Sequence, residues 1–199
     1  MNIEKERLEW IASRSLVNCH TIGMDSILFD DTPGKRLRAF FANEDHELWK
    51  NGLPFEHELS VGLHSHHCAI TLDPIFGTPY NVIESALGIN SSWSSFKYQS
   101  KISTGKGGFV NVGELKKFRL AAIPLYVPWH MKASEIHTVY LPKGKIAAWF
   151  VREHADDPNY VPLTYSNGDL EKLDFTRLYK PMTIDNLLKK LYMMHIPIV

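Results

Sequence analysis

The sequence lacks most of what marks a secreted, membrane-spanning or nucleic-acid-coating protein. Only two of its 199 residues are cysteine, Cys19 and Cys68. They form neither a disulfide framework nor a Cys-x-x-Cys redox pair, which points to a reducing compartment. No apolar run approaches the ~20 residues that a membrane-spanning helix needs. Charge of one sign is not in excess: 22 Lys and Arg balance 22 Asp and Glu. No global field is therefore available to hold a phosphate backbone. Repeats, low-complexity tracts and single-sign charge blocks are absent as well. Residues Met1 to Arg7 alternate charges where a secretory leader would carry an apolar segment. These absences predict a cytoplasmic protein with no membrane and no nucleic-acid partner.

What is present describes an ordinary core. Hydrophobic residues make up 44% of the chain and charged residues 22%, near the globular average. A chain of this length buries roughly 70% of its unfolded surface in one core. A single domain over 1–199 is the expectation, with its centre at about 24–155. The ends read as helices. Residues 3–16 carry Leu8 and Ile11 as an apolar stripe. Near the C-terminus Thr183 can cap a helix whose Ile184, Leu187, Leu188 and Leu191 follow the i, i+3, i+4, i+7 spacing. Asp185 in its first turn and Lys189 and Lys190 in its last agree with the helix dipole.

Between the ends, short β-like runs alternate with turn signals. Strands are expected near Ser26–Phe29, Arg36–Ala42, Glu58–Leu63, Cys68–Leu72 and Tyr80–Ser85. Others are expected near Ser94–Ile102, Arg119–Tyr126, Ile136–Leu141 and Ile146–Val151. Many short strands joined by tight turns predict a mainly all-β chain, an antiparallel β-barrel with short helices at the two ends. The run Ile146–Val151 is apolar on both faces and should lie between two buried layers. From 156 to 199 the chain reads as a tail wrapped on the barrel, ending in the C-terminal helix. Thr104-Gly105-Lys106-Gly107-Gly108 lacks phosphate-loop spacing and reads as a hairpin loop. An edge strand near Arg36–Ala42, carrying Leu37, Phe40 and Phe41, would suit a homodimer.

Histidine is the abundant residue: ten in all, three of them within His64-Ser65-His66-His67. On a strand His64 and His66 share one face and His67 takes the other. Apolar residues sit at odd positions before the cluster (Leu59, Val61, Leu63) and at even positions after it (Cys68, Ile70, Leu72). This change of parity predicts a bulge, a bend or a change of sheet. Two imidazoles sunk side by side need hydrogen bonds or a shared cation. A third imidazole, His137, follows on a distant strand, and Glu135 shares its face. Ligands converging from different elements suit a metal centre at a barrel mouth.

In these residues the sequence resembles the cupin superfamily over roughly 55–155. His64-Ser65-His66 is similar to the first cupin motif, and Gly77 falls where that motif closes. His137, before a Pro/Gly turn and an apolar strand, is similar to the ligand of the second motif. Ile70 stands where the first motif carries its glutamate, which leaves the fourth ligand open among Glu135, Glu84, His67 and water. The resemblance implies a divalent ion (Fe, Mn, Ni or Zn) on His64, His66, His137 and Glu135. It also implies dioxygenase-type, isomerase or lyase chemistry on a small-molecule substrate. The competing expectation is a non-catalytic barrel that binds a small ligand without a metal. Trp129-His130 and Trp149 are candidate pocket walls, and Cys68 is either a core residue, a soft ligand or a reactive thiol. His20, His46, His57, His154 and His195 show no spacing that assigns them a role.

Overall fold

The computed structural model describes residues 1–50, 62–99, 108–166 and 175–199. The chain opens with a helix, α1 (Leu8–Arg14), followed by β1 (Leu16–Val17), β2 (Met24–Asp30) and β3 (Leu37–Ala42). Next come β4 (Leu63–His64), β5 (Cys68–Phe76), and the long pair β6 (Tyr80–Gln99) and β7 (Gly108–Pro124). The strands β8 (Trp129–Met131), β9 (His137–Tyr140), β10 (Ala147–Asp156), β11 (Thr164–Ser166) and β12 (Lys180–Pro181) precede a closing helix, α2 (Ile184–Met193).

The expected architecture holds: a mainly β, closed antiparallel barrel with two short helices. One sheet has the order β12-β1-β2-β3-β10-β5-β8. The other has the order β11-β4-β9-β6-β7, and β11 also pairs with β6. Strand β10 explains how the layers stack. Ala147, Trp149 and Val151 face the barrel interior with Leu72 and Met24. Ala148 between them faces the helices, among Ile11, Phe41, Leu187 and Leu191. A strand apolar on both sides is thus buried on both sides, as its sequence predicts.

Helix α2 starts where Thr183 Oγ1 accepts the amide of Asn186 at 3.3 Å, one of the donors that a helix start leaves unpaired. Its Leu187 and Leu191 are fully buried, each stabilising the docked helix by about 2 kcal/mol. Lys190 adds an ion pair across the layers, Nζ to Asp25 Oδ2 at 2.9 Å.

Several sequence expectations need correction. The N-terminal helix starts not at Ile3 but with a 3-10 turn at Lys5–Arg7 that runs into α1, because Ile3 spends its backbone on the C-terminus: its N–H donates to Pro197 O and its C=O accepts from Val199 N, both at 2.9 Å. Strand β3 is not an edge; it lies between β2 and β10, so the argument that a second copy covers it loses its premise. The strands expected at Tyr80–Ser85 and Ser94–Ile102 are one strand, β6, interrupted by a register shift between Glu84 and Ile89. Its partner β7 starts at Gly108, well before Arg119. The tail supplies strands as well as a helix. Tyr165 pairs with both Leu63 and Ser95, and β12 extends the first sheet. Most of the Glu58–Leu63 run, and the Gly-rich stretch up to Gly107, lie outside the described residues.

Candidate metal centre

The parity change at the histidine cluster is a change of sheet. Leu63 and His64 belong to β4 in the five-stranded sheet, and Cys68 opens β5 in the seven-stranded one. Leu63 packs with Val82, Trp93 and Tyr165, whereas Cys68, Ile70 and Leu72 pack inside the barrel. The crossing segment carries Ser65, His66 and His67. It is fixed at both edges: Ser65 N donates to Leu163 O and His66 N to Ala133 O, each at 3.0 Å.

His64, His66 and His137 converge. One ring nitrogen of each lies within 4.8 Å of the others. His137 opens β9 directly opposite His64 on β4, and the two ring centroids are 5.0 Å apart. His66 reaches the same point from the crossover, its Nε2 2.9 Å from His137 Nε2. The other nitrogens are fixed from behind. His137 Nδ1–H donates to Asn81 Oδ1 at 2.7 Å, and Asn81 is itself buried. His64 Nδ1–H donates to the carbonyl of Gly62 at 3.1 Å. Both acceptors are oxygens that can only accept, so each imidazole carries its proton on Nδ1 and presents a bare Nε2 to the centre.

This donor set fits a divalent ion. Two bonds of ~2.1 Å meeting at roughly a right angle place their nitrogens about 3 Å apart, close to the His66–His137 separation. Burial also keeps the rings neutral, as ligands must be. It lowers the pKa of His137 well below the ordinary imidazole value, with His64 adding to the effect. Burial lowers His66 strongly, reinforced by His64 and His137. His64 is lowered by burial despite its bond to Gly62.

The cluster forms the polar end of a cavity with about 510 Å³ of space between its walls, its open mouth included. Met24, Phe40, Ile70, Leu72, Val139 and Trp149 make the apolar wall, and Phe40 and Trp149 stack at 5.9 Å. A further histidine lines the cavity, His20, 6.0 Å from His64 between ring centroids. Its spacing from the cluster carries no signal, because the loop before β2 brings it there. The left-handed backbone at Asn18 and His20, φ 55° and 68°, sets that loop's course and is invisible without coordinates.

The other expected residues lie elsewhere. Glu135 is exposed, and its Oε2 accepts the amide of Lys132 at 2.5 Å; it closes the turn before β9. Glu84 is exposed on β6. His67 points outward, its Nε2 3.3 Å from Asp156 Oδ1. Together with Cys68 and Glu153 it forms a second group of donor atoms within 4.8 Å. Glu153 there is already paired with Arg36 and Arg38. Burial pushes the Cys68 thiol up to about 11, which suits a core residue and not a nucleophile. Trp149 lines the cavity; Trp129 packs against the barrel core. His130 and His154 both contact the hydroxyl of Thr71, at 3.2 and 2.9 Å. His46 Nδ1 accepts from Leu48 N, His195 follows the end of α2 with a φ of 53°, and His57 lies outside the described residues.

No protein-family model matches this sequence, and no curated protein matches it. Among solved structures, a hypothetical protein from Leishmania major aligns with 91% of this chain and 82% of its own, at 10% identity and a TM-score of 0.26. A likeness that slight carries no argument, and the reading of the site rests on its geometry. No helix among the described residues is long and apolar enough to cross a membrane.

Proposed function

We propose that the barrel is a cupin-type metalloprotein that holds one divalent ion on Nε2 of His64, His66 and His137 and acts on a small, largely apolar molecule. The observation that carries this reading is the pair of Nδ1 anchors, Asn81 and Gly62 O, which aim two bare Nε2 atoms at the point that His66 also reaches. A bound Fe, Mn, Ni or Zn ion would supply Lewis-acid or oxygen-activating chemistry at the positions the three imidazoles leave open. The chain's own contribution is orientation and exclusion of water. The opposed strands hold His64 and His137, and Phe40, Leu72 and Trp149 give an apolar body a dry wall. Among the described residues, no charged side chain lines the cavity, which favours an uncharged substrate body. Oxygenation, isomerisation and lyase chemistry all suit such a site.

A second reading is favoured by one observation. The His66–His137 contact satisfies both nitrogens without an ion, if His66 Nε2–H donates. That arrangement suits a metal-free barrel binding a small ligand. Elemental analysis of the purified protein, with dialysis against Fe(II), Mn(II), Ni(II) and Zn(II), separates the two. The metal reading expects one ion per chain, lost in His137→Ala with the fold retained. Absence of uptake by the wild type supports the metal-free reading.

A further inference from the structure

The loop before β2 and the strap before β12 meet at the cavity wall in an unusual way. Three non-glycine residues there have left-handed backbone: Asn18, His20 and Tyr179, with φ of 55°, 68° and 54°. Side chains other than Asn and Asp rarely adopt this region, and such strain persists where the surroundings fix it. Here they do. Tyr179 N–H donates to Asn18 O at 3.0 Å, and Asn18 Nδ2 donates to Arg177 O at 3.0 Å. Asn18 is held in turn by Asp25 Oδ1 on its amide and by Gly23 N on its side-chain oxygen. The outcome of this fastening is the placement of one ring. His20 Nδ1 meets the Tyr179 hydroxyl at 3.1 Å, its face lies on Phe40, and the ring lines the cavity beside His64. No described residue hydrogen-bonds to its Nε2. His20 also stays outside the group of converging metal donors.

We propose that His20 is the ligand-recognition residue of this cavity, with Tyr179 as its positioning residue. In this arrangement His20 Nε2 makes the directional hydrogen bond to the polar group of a small aromatic or otherwise apolar ligand bound at the three imidazoles. The inference rests on the metal reading above and adds to it the contact that selects the ligand. The Tyr179 hydroxyl can donate to Nδ1 or accept from it. Nε2 therefore offers the cavity either a proton or a lone pair. A ligand with a hydroxyl, an N–H or a carbonyl next to its metal-binding oxygen fits this chemistry, and its apolar body meets Phe40, Leu72 and Trp149. A hydrogen bond in a pocket this apolar discriminates strongly, because a ligand lacking the group leaves Nε2 unpaired.

The test uses the full chain, Co(II) as ion and benzohydroxamate as probe, read by the visible Co(II) bands. His20→Asn keeps a residue tolerant of left-handed backbone and removes the ring; Tyr179→Phe removes only the hydroxyl. The expected result is unchanged Co(II) affinity in both variants. Affinity for benzohydroxamate should fall about tenfold in His20→Asn, the size of one lost hydrogen bond, and less in Tyr179→Phe. The double variant should match His20→Asn alone, since Tyr179 acts through His20. Equal probe affinity in wild type and His20→Asn overturns the assignment. So does loss of Co(II) binding in His20→Asn, or a Tyr179→Phe effect that persists without His20. Should the wild type take no Co(II), the metal reading fails by itself. The probe is then titrated into metal-free protein by tryptophan fluorescence, where a tenfold loss in His20→Asn keeps the His20 assignment and equal affinity ends it.

Discussion

His64 and His137 are directly opposed residues of neighbouring antiparallel strands, with ring centroids 5.0 Å apart. Residues so opposed have Cβ atoms about 4.5–5.5 Å apart by the geometry of the ladder itself. The spacing of two donors is thus a property of the sheet, and little ordering is left for an ion to impose. The Asn81 contact completes this arrangement from the strand on the other side of β9, through which Asn81 pairs with Val139.

Asn81 is therefore expected to matter although it cannot itself reach the ion site. Asn81→Ala removes the acceptor that fixes the His137 proton on Nδ1. Such supporting contacts typically contribute 10- to 100-fold in metal affinity. Competition of the protein with a chromophoric chelator for Co(II) measures this directly. Unchanged affinity would show that the tautomer is set by something else.

Acid should destabilise the metal-free protein, with a sign fixed by the buried rings. Burial, with His64 and Arg38 adding to it, lowers His20 to about 3, and His64, His66 and His137 are lowered as well. Below about pH 6.5 the unfolded chain takes up protons that the folded chain refuses. Stability is full above that value and is lost as pH falls toward the folded-state values, at about 1.4 kcal/mol per pH unit for each such ring. Urea midpoints between pH 8 and 5 should decline below pH 6.5, and less steeply in His20→Asn. A midpoint that rises toward pH 5 would contradict this.

Gly77 should tolerate no side chain. Its φ is +71°, and an added Cβ would run into the carbonyl oxygen of Ile146 and the Cα of Ala147. Gly77→Ala then strains the backbone and pushes apart the β5–β10 ladder, at a cost of about 3 kcal/mol or more. Equilibrium urea unfolding checks the magnitude, and a cost under about 1 kcal/mol would mean the ladder yields easily.

Much of this was legible in the sequence for identifiable reasons. Period-2 alternation and turn residues mark the strands, the two-sided apolar run marks β10, and Thr183 with its leucines marks α2. The parity change at the histidines foretells the crossover between sheets. Glu135 was misleading because sharing a strand face with His137 requires the strand to extend back to it, and β9 begins at His137 itself. The long β6 was hidden by the exposed residues around Ser85 to Gly88, which interrupt alternation without ending the strand. His20 was beyond reach, since a loop residue's place depends on contacts with Tyr179, far away in the chain. Strands of two or three residues such as β1, β11 and β12 carry too little periodicity to be read.

Lys190 ties α2 to β2 through Asp25, whose side chain is 3% exposed. Lys190→Met leaves that buried carboxylate with the Asn18 backbone N–H at 2.9 Å but without its cation, a loss of about 3 kcal/mol. Asp25→Asn in the same chain should recover part of it. Denaturant midpoints of the two variants decide, and a Lys190→Met protein as stable as wild type would remove the pair from the account.

X-ray absorption at the metal edge of protein loaded with one equivalent of Co(II) or Zn(II) is the most direct measurement of the central claim. It reads ligand type and distance at once, and it separates the barrel centre from the His67–Cys68–Glu153 group. Three imidazole nitrogens at about 2.0–2.2 Å with no sulfur are the expected result, a signature missing from His137→Ala, which takes up no ion. A sulfur at about 2.3 Å, or fewer than three imidazoles in the wild type, would contradict it.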